Sequence, residues 1–273
     1  MPEPGTQLRN DTKPPAAVEG ARDTVIEVTD FAAVYGGKTV LHDVNFRVRR
    51  GEVLVIAGDS GSGKSTLLKH MIGLRRPAKG RILIDGDDLF AATPGPKRDS
   101  IFRKFGVSFQ TGALFGNMNV LENVKLQLEQ FARLGGGMAD AIALTKLQLV
   151  GLADSAQKAP ADLSGGMQKR AAIARAMALD PPIVFMDEPS AGLDPITSAE
   201  LDQLIGSLNK LLNTTFVIVS HELASILKIA SRVLLLHGQR QTLVADGDPR
   251  ELGKSSDDPW VRAFFNREIP KEP

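Results

Sequence analysis

The chain contains no cysteine among its 273 residues, which excludes disulfide bonds and thiolate metal sites. Its 33 Lys and Arg residues nearly balance its 32 Asp and Glu residues. Such a balance lacks the excess of positive charge that nucleic acid or an acidic membrane surface attracts. No run approaches the ~18 consecutive apolar residues of a membrane span. We therefore expect no nucleic-acid partner, and we expect any membrane association to come through another protein.

The first 22 residues also lack an apolar core of the kind that a secretory signal needs. They are rich in proline, glycine and polar residues, a composition typical of segments that do not fold. We expect residues 1–22 to form a disordered tail.

Short apolar runs separated by helical patterns dominate the rest of the chain, and runs of this kind are typical of buried strands. The pattern is helical from about residue 112 to residue 160, with a break at three consecutive glycines. We predict an α/β fold in which a nucleotide-binding core with a mostly parallel sheet is interrupted by this helical insertion. The runs are 53–57, 183–186, 216–219 and 233–236, and further β-rich segments lie at 25–28, 40–48 and 80–86.

A phosphate-loop pattern follows the apolar run 53–57. Its nine residues are Gly58, Asp59, Ser60, Gly61, Ser62, Gly63, Lys64, Ser65 and Thr66, and a helix is predicted from Thr66. Backbone N–H groups in such a loop bind anions at a helix N-terminus. Lys64 is expected to reach the β and γ phosphates of a nucleotide, and Ser65 to hold Mg²⁺. A glycine-rich turn without a ligand is the alternative, which the strand and helix on either side disfavour.

Two carboxylates, Asp187 and Glu188, end the run 183–186. Ligands of open α/β sheets bind beyond the carboxyl ends of the strands. Asp187 is therefore expected to support Mg²⁺, and Glu188 to polarise a water that attacks the γ phosphate. Alternatively, the two acids only cap the next turn.

Ser164, Gly165 and Gly166 precede a helical stretch that is predicted to run from Ala171 to Leu179. Serine is a common N-cap residue, and the glycines leave backbone N–H groups accessible. The segment is a second candidate anion site, or simply an ordinary helix cap.

Taken together, these three motifs resemble those of the ATPase subunits of ABC transporters, over residues of about 25 to 252. The resemblance implies a phosphate-loop NTPase core of ABC type, with an N-terminal antiparallel β region. It implies a cassette at 23–252 with its helical insertion at about 112–160, and a C-terminal extension at 253–273. The cofactors implied are ATP and Mg²⁺.

The resemblance also assigns roles to single residues. Tyr35 is expected to stack on the adenine, and Gln110 to touch Mg²⁺ beside Ser65 and Asp187 and to couple to a membrane subunit. His221 is expected to sense the γ phosphate, which makes Glu188, His221 and Lys64 the catalytic group. Family members pair head to tail around ATP. Ser164, Gly165, Gly166 and Asp194 are then expected to act on the nucleotide of a second copy.

Segments 109–115, 120–124, 191–196 and 258–265, with Met167, are similar to the ATPases of Mla-type lipid transporters. This narrower resemblance implies movement of phospholipid or related lipid with membrane permease subunits, an MCE-domain protein and a small accessory protein. The implied location is the cytoplasmic face of the bacterial inner membrane. A small-solute importer is an alternative, because Met167 departs from the wider family. A soluble ABC-type ATPase acting on ribosomes or DNA is disfavoured, because the chain has neither a second cassette nor a long coiled coil.

Two further features leave alternatives open. Asp59 places an acid in the phosphate loop and is expected to point away from the ligand. After a possible N-cap at Asp258, an apolar stripe formed by Trp260, Val261, Phe264 and Phe265 either packs on its own domain or docks on a partner.

Overall fold

The computed structural model describes residues 23–91 and 95–268. The tail that is predicted at residues 1–22 and the last five residues of the extension lie outside these ranges.

Two β-sheets lie at the centre of the fold. The first has the strand order β2-β1-β4-β5, and each neighbouring pair is antiparallel, as expected for the N-terminal β region. Its strands are β1 (Thr24–Tyr35), β2 (Lys38–Arg49), β4 (Lys79–Ile84) and β5 (Asp87–Asp88).

The second sheet has the order β10-β9-β3-β8-β7-β6. All its pairs are parallel except the edge pair of β9 and β10. Every residue of β3 and β8 is buried, which confirms that the continuous apolar runs are central parallel strands. The strands are β3 (Val53–Gly58), β6 (Phe105–Ser108), β7 (Ile183–Asp187), β8 (Thr215–Val219), β9 (Arg232–His237) and β10 (Thr242–Gly247).

The helices lie between and after these strands. The predicted helical insertion contains α3 and α4, and α3 begins with a capping box between Asn119 and Glu122. None of the helices in the described ranges has the length and apolar character of a membrane span. They are α1 (Lys64–Met71), α2 (Pro96–Phe102), α3 (Val120–Phe131), α4 (Gly136–Leu149), α5 (Gly165–Ala176), α6 (Pro195–Leu212), α7 (Leu223–Ile229), α8 (Pro249–Ser255) and α9 (Pro259–Asn266).

Both faces of the second sheet are covered, and β3 shows how. Leu54 and Ile56 belong to the core shared with the antiparallel sheet and α1. Val53 and Val55 belong to the core shared with α3 to α7. This alternation is the period of two expected of a strand. The sheet is therefore a central layer, and the phosphate loop and the two carboxylates lie at the carboxyl ends of its strands β3 and β7.

The C-terminal stripe packs on its own domain. Val261 and Phe265 of α9 belong to the core shared by the helices, and Trp260 stacks on His237 with a centroid separation of 4.2 Å. Asp258 caps α9 by accepting from the N–H of Trp260 at 2.9 Å, as the sequence predicts. The boundary predicted at residue 252 stays a prediction, but it falls inside α8.

Replacing Phe265 with alanine is expected to lower the free energy of unfolding by about 3 kcal/mol, because it leaves a cavity in a packed core. Thermal unfolding of the purified chain measures the effect. Glu268→Ala, a change at an exposed position just beyond α9, is the control and should alter stability by less than about 0.5 kcal/mol. If the two variants unfold at the same temperature, α9 is not part of the core.

Candidate functional site

The phosphate loop connects β3 to α1. Gly63, the N-cap of α1, has φ +95°, a backbone region that L side chains rarely adopt. A Cβ there would lie 2.9 Å from the side chain of Leu41. The strand, loop and helix therefore follow each other as predicted, although α1 begins at Lys64 rather than at Thr66.

Lys64 is folded into the loop and only 9% exposed. Its Nζ donates to the carbonyl oxygens of Gly58 at 2.9 Å and Asp59 at 2.8 Å. Burial lowers the pKa of Lys64, and the negative charges of Glu188, Asp59 and Asp187 act in the opposite direction. The ammonium group therefore lies among the loop carbonyls, with the carboxylates near enough to favour its charged form.

Asp59 points away from the loop interior, as expected. Its Oδ1 accepts a hydrogen bond from the N–H of Gly238 at 2.9 Å, just after β9. The Asp59 carboxylate is thus held by an N–H donor outside the loop, and this bond joins the phosphate loop to the end of the neighbouring strand.

Asp187 ends β7 beside the phosphate loop, where the hydroxyl of Ser65 donates to its Oδ1 at 3.4 Å. Burial raises the pKa of Asp187, and the charge of Glu188 raises it further. The bond from Ser65 and the charges of Lys69 and Lys169 oppose that rise. A hydroxyl and a carboxylate are therefore brought together in a half-buried place.

This oxygen pair fits Mg²⁺, which binds proteins through one or two oxygen ligands and keeps several waters or phosphate oxygens. Within the described ranges, no group of three or more His, Asp or Glu residues could hold a metal ion by itself. Gln110, the third expected ligand, is exposed. The structure thus brings Ser65 and Asp187 together and places Gln110 at the surface.

Glu188 and His221 form a close pair. The Nδ1 of His221 lies 2.7 Å from Oε1 of Glu188. Because a carboxylate only accepts, this bond requires a proton on Nδ1. The Glu188 side chain is 13% exposed and that of His221 is 68% exposed. The imidazole therefore orients a largely buried carboxylate while its own other edge faces the solvent.

The backbone of Glu188 is strained. Its φ of +47° lies in the left-handed region, which is uncommon for residues other than glycine. Its N–H donates to the carbonyl of Val219 at 2.9 Å, which ties it to the end of β8. The carboxylate is thus aimed by a turn that the adjacent strand holds in place.

Tyr35 ends β1, where it pairs with Lys38 across a tight turn. The guanidinium of Arg75 lies 4.6 Å from the centroid of its ring, and the buried His70 approaches the ring edge-on at 6.2 Å. Tyr35 is therefore part of an aromatic and cationic cluster at the C-terminal end of α1.

Ser164 caps α5, since its Oγ accepts from the N–H of Met167 at 3.3 Å. The helix begins at Gly165 and ends at Ala176, earlier than predicted at both ends. A Cβ on Gly166 would lie 2.5 Å from Cγ2 of Thr197 on α6. Gly166 is therefore required for the packing of α5 against α6, whatever it binds.

Asp194 caps α6 by accepting from the N–H groups of Ile196 at 3.0 Å and Thr197 at 3.1 Å. The Thr197 hydroxyl also donates to it, and these bonds lower the pKa of Asp194. The carboxylate thus has a role in this chain's own fold, and its expected action on a second copy stays a prediction.

Sequence reasoning missed three residues that shape the loops around the site. Arg175 donates to the carbonyls of Gly112 at 2.9 Å and Ala113 at 2.6 Å. The fully buried Asn123 bonds to both the N–H and the carbonyl of Phe115. Lys169 is the third, and its Nζ donates to the carbonyl of Gln110. Only Asn123 carries a signal in the sequence, as a polar residue on the apolar face of a predicted helix.

Comparisons with known proteins identify the family of the chain. The ABC transporter family model matches residues 41–191, more than half of the chain. The probable ribonucleotide transport ATP-binding protein mkl of Mycobacterium leprae is 42% identical over 88% of this chain and 68% of its own length. The intermembrane phospholipid transport system ATP-binding protein MlaF of Escherichia coli K12 is 37% identical over 83% of this chain and 86% of its own.

A solved structure extends the likeness to the fold. The match to the dimeric structure of the ABC transporter cassette MJ0796 covers 82% of this chain and 98% of the MJ0796 chain. Its TM-score is 0.74 and the sequence identity is 32%. The dimeric post-hydrolysis state of MJ0796, with bound ADP and phosphate, has the same coverage, a TM-score of 0.71 and 30% identity. Cassettes of this family form dimers and work with membrane permeases. Since the family model spans more than half of the chain and both relatives match over most of their length, the chain belongs to the ABC transporter family, as a cassette that binds and hydrolyses ATP.

Proposed function

We propose that ATP binds on the phosphate loop, residues 58–66, with Tyr35 stacked on its adenine. The loop geometry supports this, because an N–H nest at the start of α1 suits phosphate oxygens. Lys64 would exchange its loop carbonyl partners for the β and γ phosphates, since an ammonium gains more from phosphate oxygens than from neutral acceptors.

Ser65 and Asp187, together with Gln110, would hold Mg²⁺. When bound, the ion neutralises charge that develops on the phosphate oxygens. Glu188 would accept a proton from the attacking water, and His221 holds its carboxylate in place through the 2.7 Å contact. The solvent-facing edge of His221 would then meet the γ phosphate.

Two copies of the chain would close head to tail around ATP. The capped start of α5 with Ser164, Gly165 and Gly166 would face the γ phosphate of the partner's nucleotide, beside the loop that ends at Asp194. The N-terminus of a helix suits this task because its N–H groups favour negative charge. The dimeric form of the related cassette supports this arrangement.

The transported substrate would be phospholipid or a related lipid. The observation that carries this proposal is the match to MlaF, which covers 86% of that protein, together with the Mla-like segments of the sequence. The name of the mkl relative favours a second candidate, ribonucleotide transport. A different small solute is a third possibility, raised by the residue at position 167.

The permease would dock near residues 110–123. Phe115 in this segment is 46% exposed, and Phe131 at the end of α3 is 40% exposed. Arg175 and Asn123 hold the loop around Phe115 in shape. Leu114 packs against the core, so Phe115 is the better probe of docking. Through this contact the chain would lie at the cytoplasmic face of a bacterial inner membrane, with an MCE-domain protein and a small accessory protein as further partners.

Reconstitution of the complex that co-purifies with the chain tests the substrate. In proteoliposomes, we expect ATP to drive transfer of a fluorescent phospholipid and to leave a labelled ribonucleotide unmoved. The matched control is Phe115→Asp, which should bind ATP but lose the permease and therefore transport. Ribonucleotide movement without lipid movement would replace the lipid proposal by the second candidate. Movement of neither probe by an active complex would leave a different solute as the substrate.

A further inference from the structure

Lys169 bridges two loops of the site. Its Nζ donates to the carbonyl oxygen of Gln110 and lies 3.4 Å from the carbonyl oxygen of Glu188, to which it also donates. Gln110 follows β6 and Glu188 follows β7, which are parallel neighbours with Ser108 opposite Met186. The two carbonyls therefore occupy equivalent positions beyond the ends of adjacent strands, and one ammonium group joins them.

Lys169 belongs to α5, an element different from the two strands whose following loops it joins. Lys169 lies in the second turn of α5, the helix that Ser164 caps. Burial lowers the pKa of Lys169, against the charges of Glu188 and Asp187. A half-buried lysine gives up hydration, and it recovers that loss only through well-placed acceptors. The contact therefore fixes α5 relative to both strand ends.

The hydrogen bond from Lys169 to the carbonyl of Glu188 restrains a residue whose backbone is strained. The Glu188 carbonyl also accepts from the N–H of Ala191 at 3.2 Å, so two donors hold a peptide group whose φ is +47°. The direction of the Glu188 side chain depends on this backbone. Loss of one donor would loosen the aim of the carboxylate without touching its chemistry.

We propose that Lys169 is a positioning residue for ATP hydrolysis, which couples Glu188 and Gln110 of one ATP site to the helix that acts on the other site. The second half of this proposal rests on the proposed head-to-tail dimer. In that dimer, the start of α5 faces the partner's nucleotide while Lys169 holds the loops that surround its own. A shift of α5 on one nucleotide would therefore move the carboxylate beside the other.

The test is Lys169→Met, which keeps an apolar stem as far as Cε but removes the ammonium donor. We expect kcat to fall on the order of tenfold to a hundredfold, as for a misaligned catalytic group. ATP affinity measured by calorimetry should change less than about twofold, because no phosphate contact is lost. The dependence of the rate on ATP concentration should also become less steep, as coupling between the sites weakens.

Two variants separate positioning from general damage. Lys169→Arg keeps a cationic donor and should restore much of the lost kcat. Lys228→Met removes a lysine that donates to a carbonyl elsewhere, that of Ala199 at 2.8 Å, and should leave the rate unchanged. An unchanged kcat in Lys169→Met overturns the proposal. So does a loss of rate that Lys169→Arg does not restore, or one that only follows a collapse of the melting temperature.

The outcome is distinguishable from a failure of the dimer. Suppose that Lys169→Met lowers kcat, but that the wild-type rate rises with ATP concentration no more steeply than a single binding site predicts. The positioning role of Lys169 then stands, and the proposed coupling between two sites is wrong. If the wild-type chain binds ATP but does not hydrolyse it, the proposed assignment of the hydrolytic site is wrong, and that failure is separate from the result for Lys169.

Discussion

Replacement of Glu188 with glutamine is expected to stop ATP hydrolysis while ATP stays bound. Glutamine keeps the shape of the side chain and can still accept from Nδ1 of His221, at present 2.7 Å from the carboxylate. It cannot take a proton from water, so the loss isolates the general base. A general base contributes roughly 10²- to 10⁴-fold to a rate, and we expect kcat to fall by that much in the full complex.

The measurement is phosphate release at saturating ATP, alongside calorimetric titration with ATP. We expect the affinity to be unchanged and the ATP-bound dimer to persist during gel filtration. Glu222→Gln is the matched control, because Glu222 is the neighbour of His221 in sequence but bonds to Ser198 on α6. A Glu188→Gln complex that hydrolyses ATP at the wild-type rate would show that another group activates the water.

Replacement of Lys64 with alanine is expected to weaken ATP binding itself. The Lys64 ammonium is folded into the phosphate loop, held by two loop carbonyls at 2.9 and 2.8 Å. Its hydrogen bonds to phosphate would be charge-assisted, and such bonds contribute about 1.5–3 kcal/mol. We therefore expect the dissociation constant for ATP to rise roughly ten- to a hundredfold.

Calorimetry on the purified chain measures this change, and thermal unfolding without nucleotide shows whether the loop survives. Lys254→Ala removes the same charge from an exposed position on α8 and should leave the affinity unaltered. Lys64→Arg should also bind weakly, because the guanidinium is larger and does not act as a compact point charge. Equal affinity for ATP in the wild type and Lys64→Ala would contradict the phosphate-loop assignment.

Much of the fold follows from local patterns in the chain. The apolar runs that begin at Val53, Ile183, Phe216 and Val233 are buried parallel strands because a strand covered on both faces needs apolar residues at every position.

The ends of the helices were predicted less well than the strands. α5 ends at Ala176 rather than Leu179, and α1 begins inside the phosphate loop, since its first turn is set by Gly63 rather than by apolar periodicity.

The C-terminal stripe shows a different limit. Its spacing at Trp260, Val261, Phe264 and Phe265 predicts a helix with one apolar face, and α9 is such a helix. The pattern is the same whether that face meets its own domain or a partner. The tertiary structure decides the matter, because it stacks His237 of β9 on Trp260 and includes Val261 and Phe265 in the core shared by the helices.

The sequence by itself determined the chemistry of the motifs: a glycine-rich loop with Lys64, acids at 187 and 188, and a capped helix at Ser164. These depend on residues close together in the chain, whose backbone geometry is set locally. The tertiary structure alone decided the contacts between them. The partners in the pair Glu188 and His221 are 33 residues apart, and those in the pair Lys169 and Gln110 are 59 apart. Such contacts depend on the strand order β3-β8-β7-β6, which brings the ends of distant strands to one edge of the sheet.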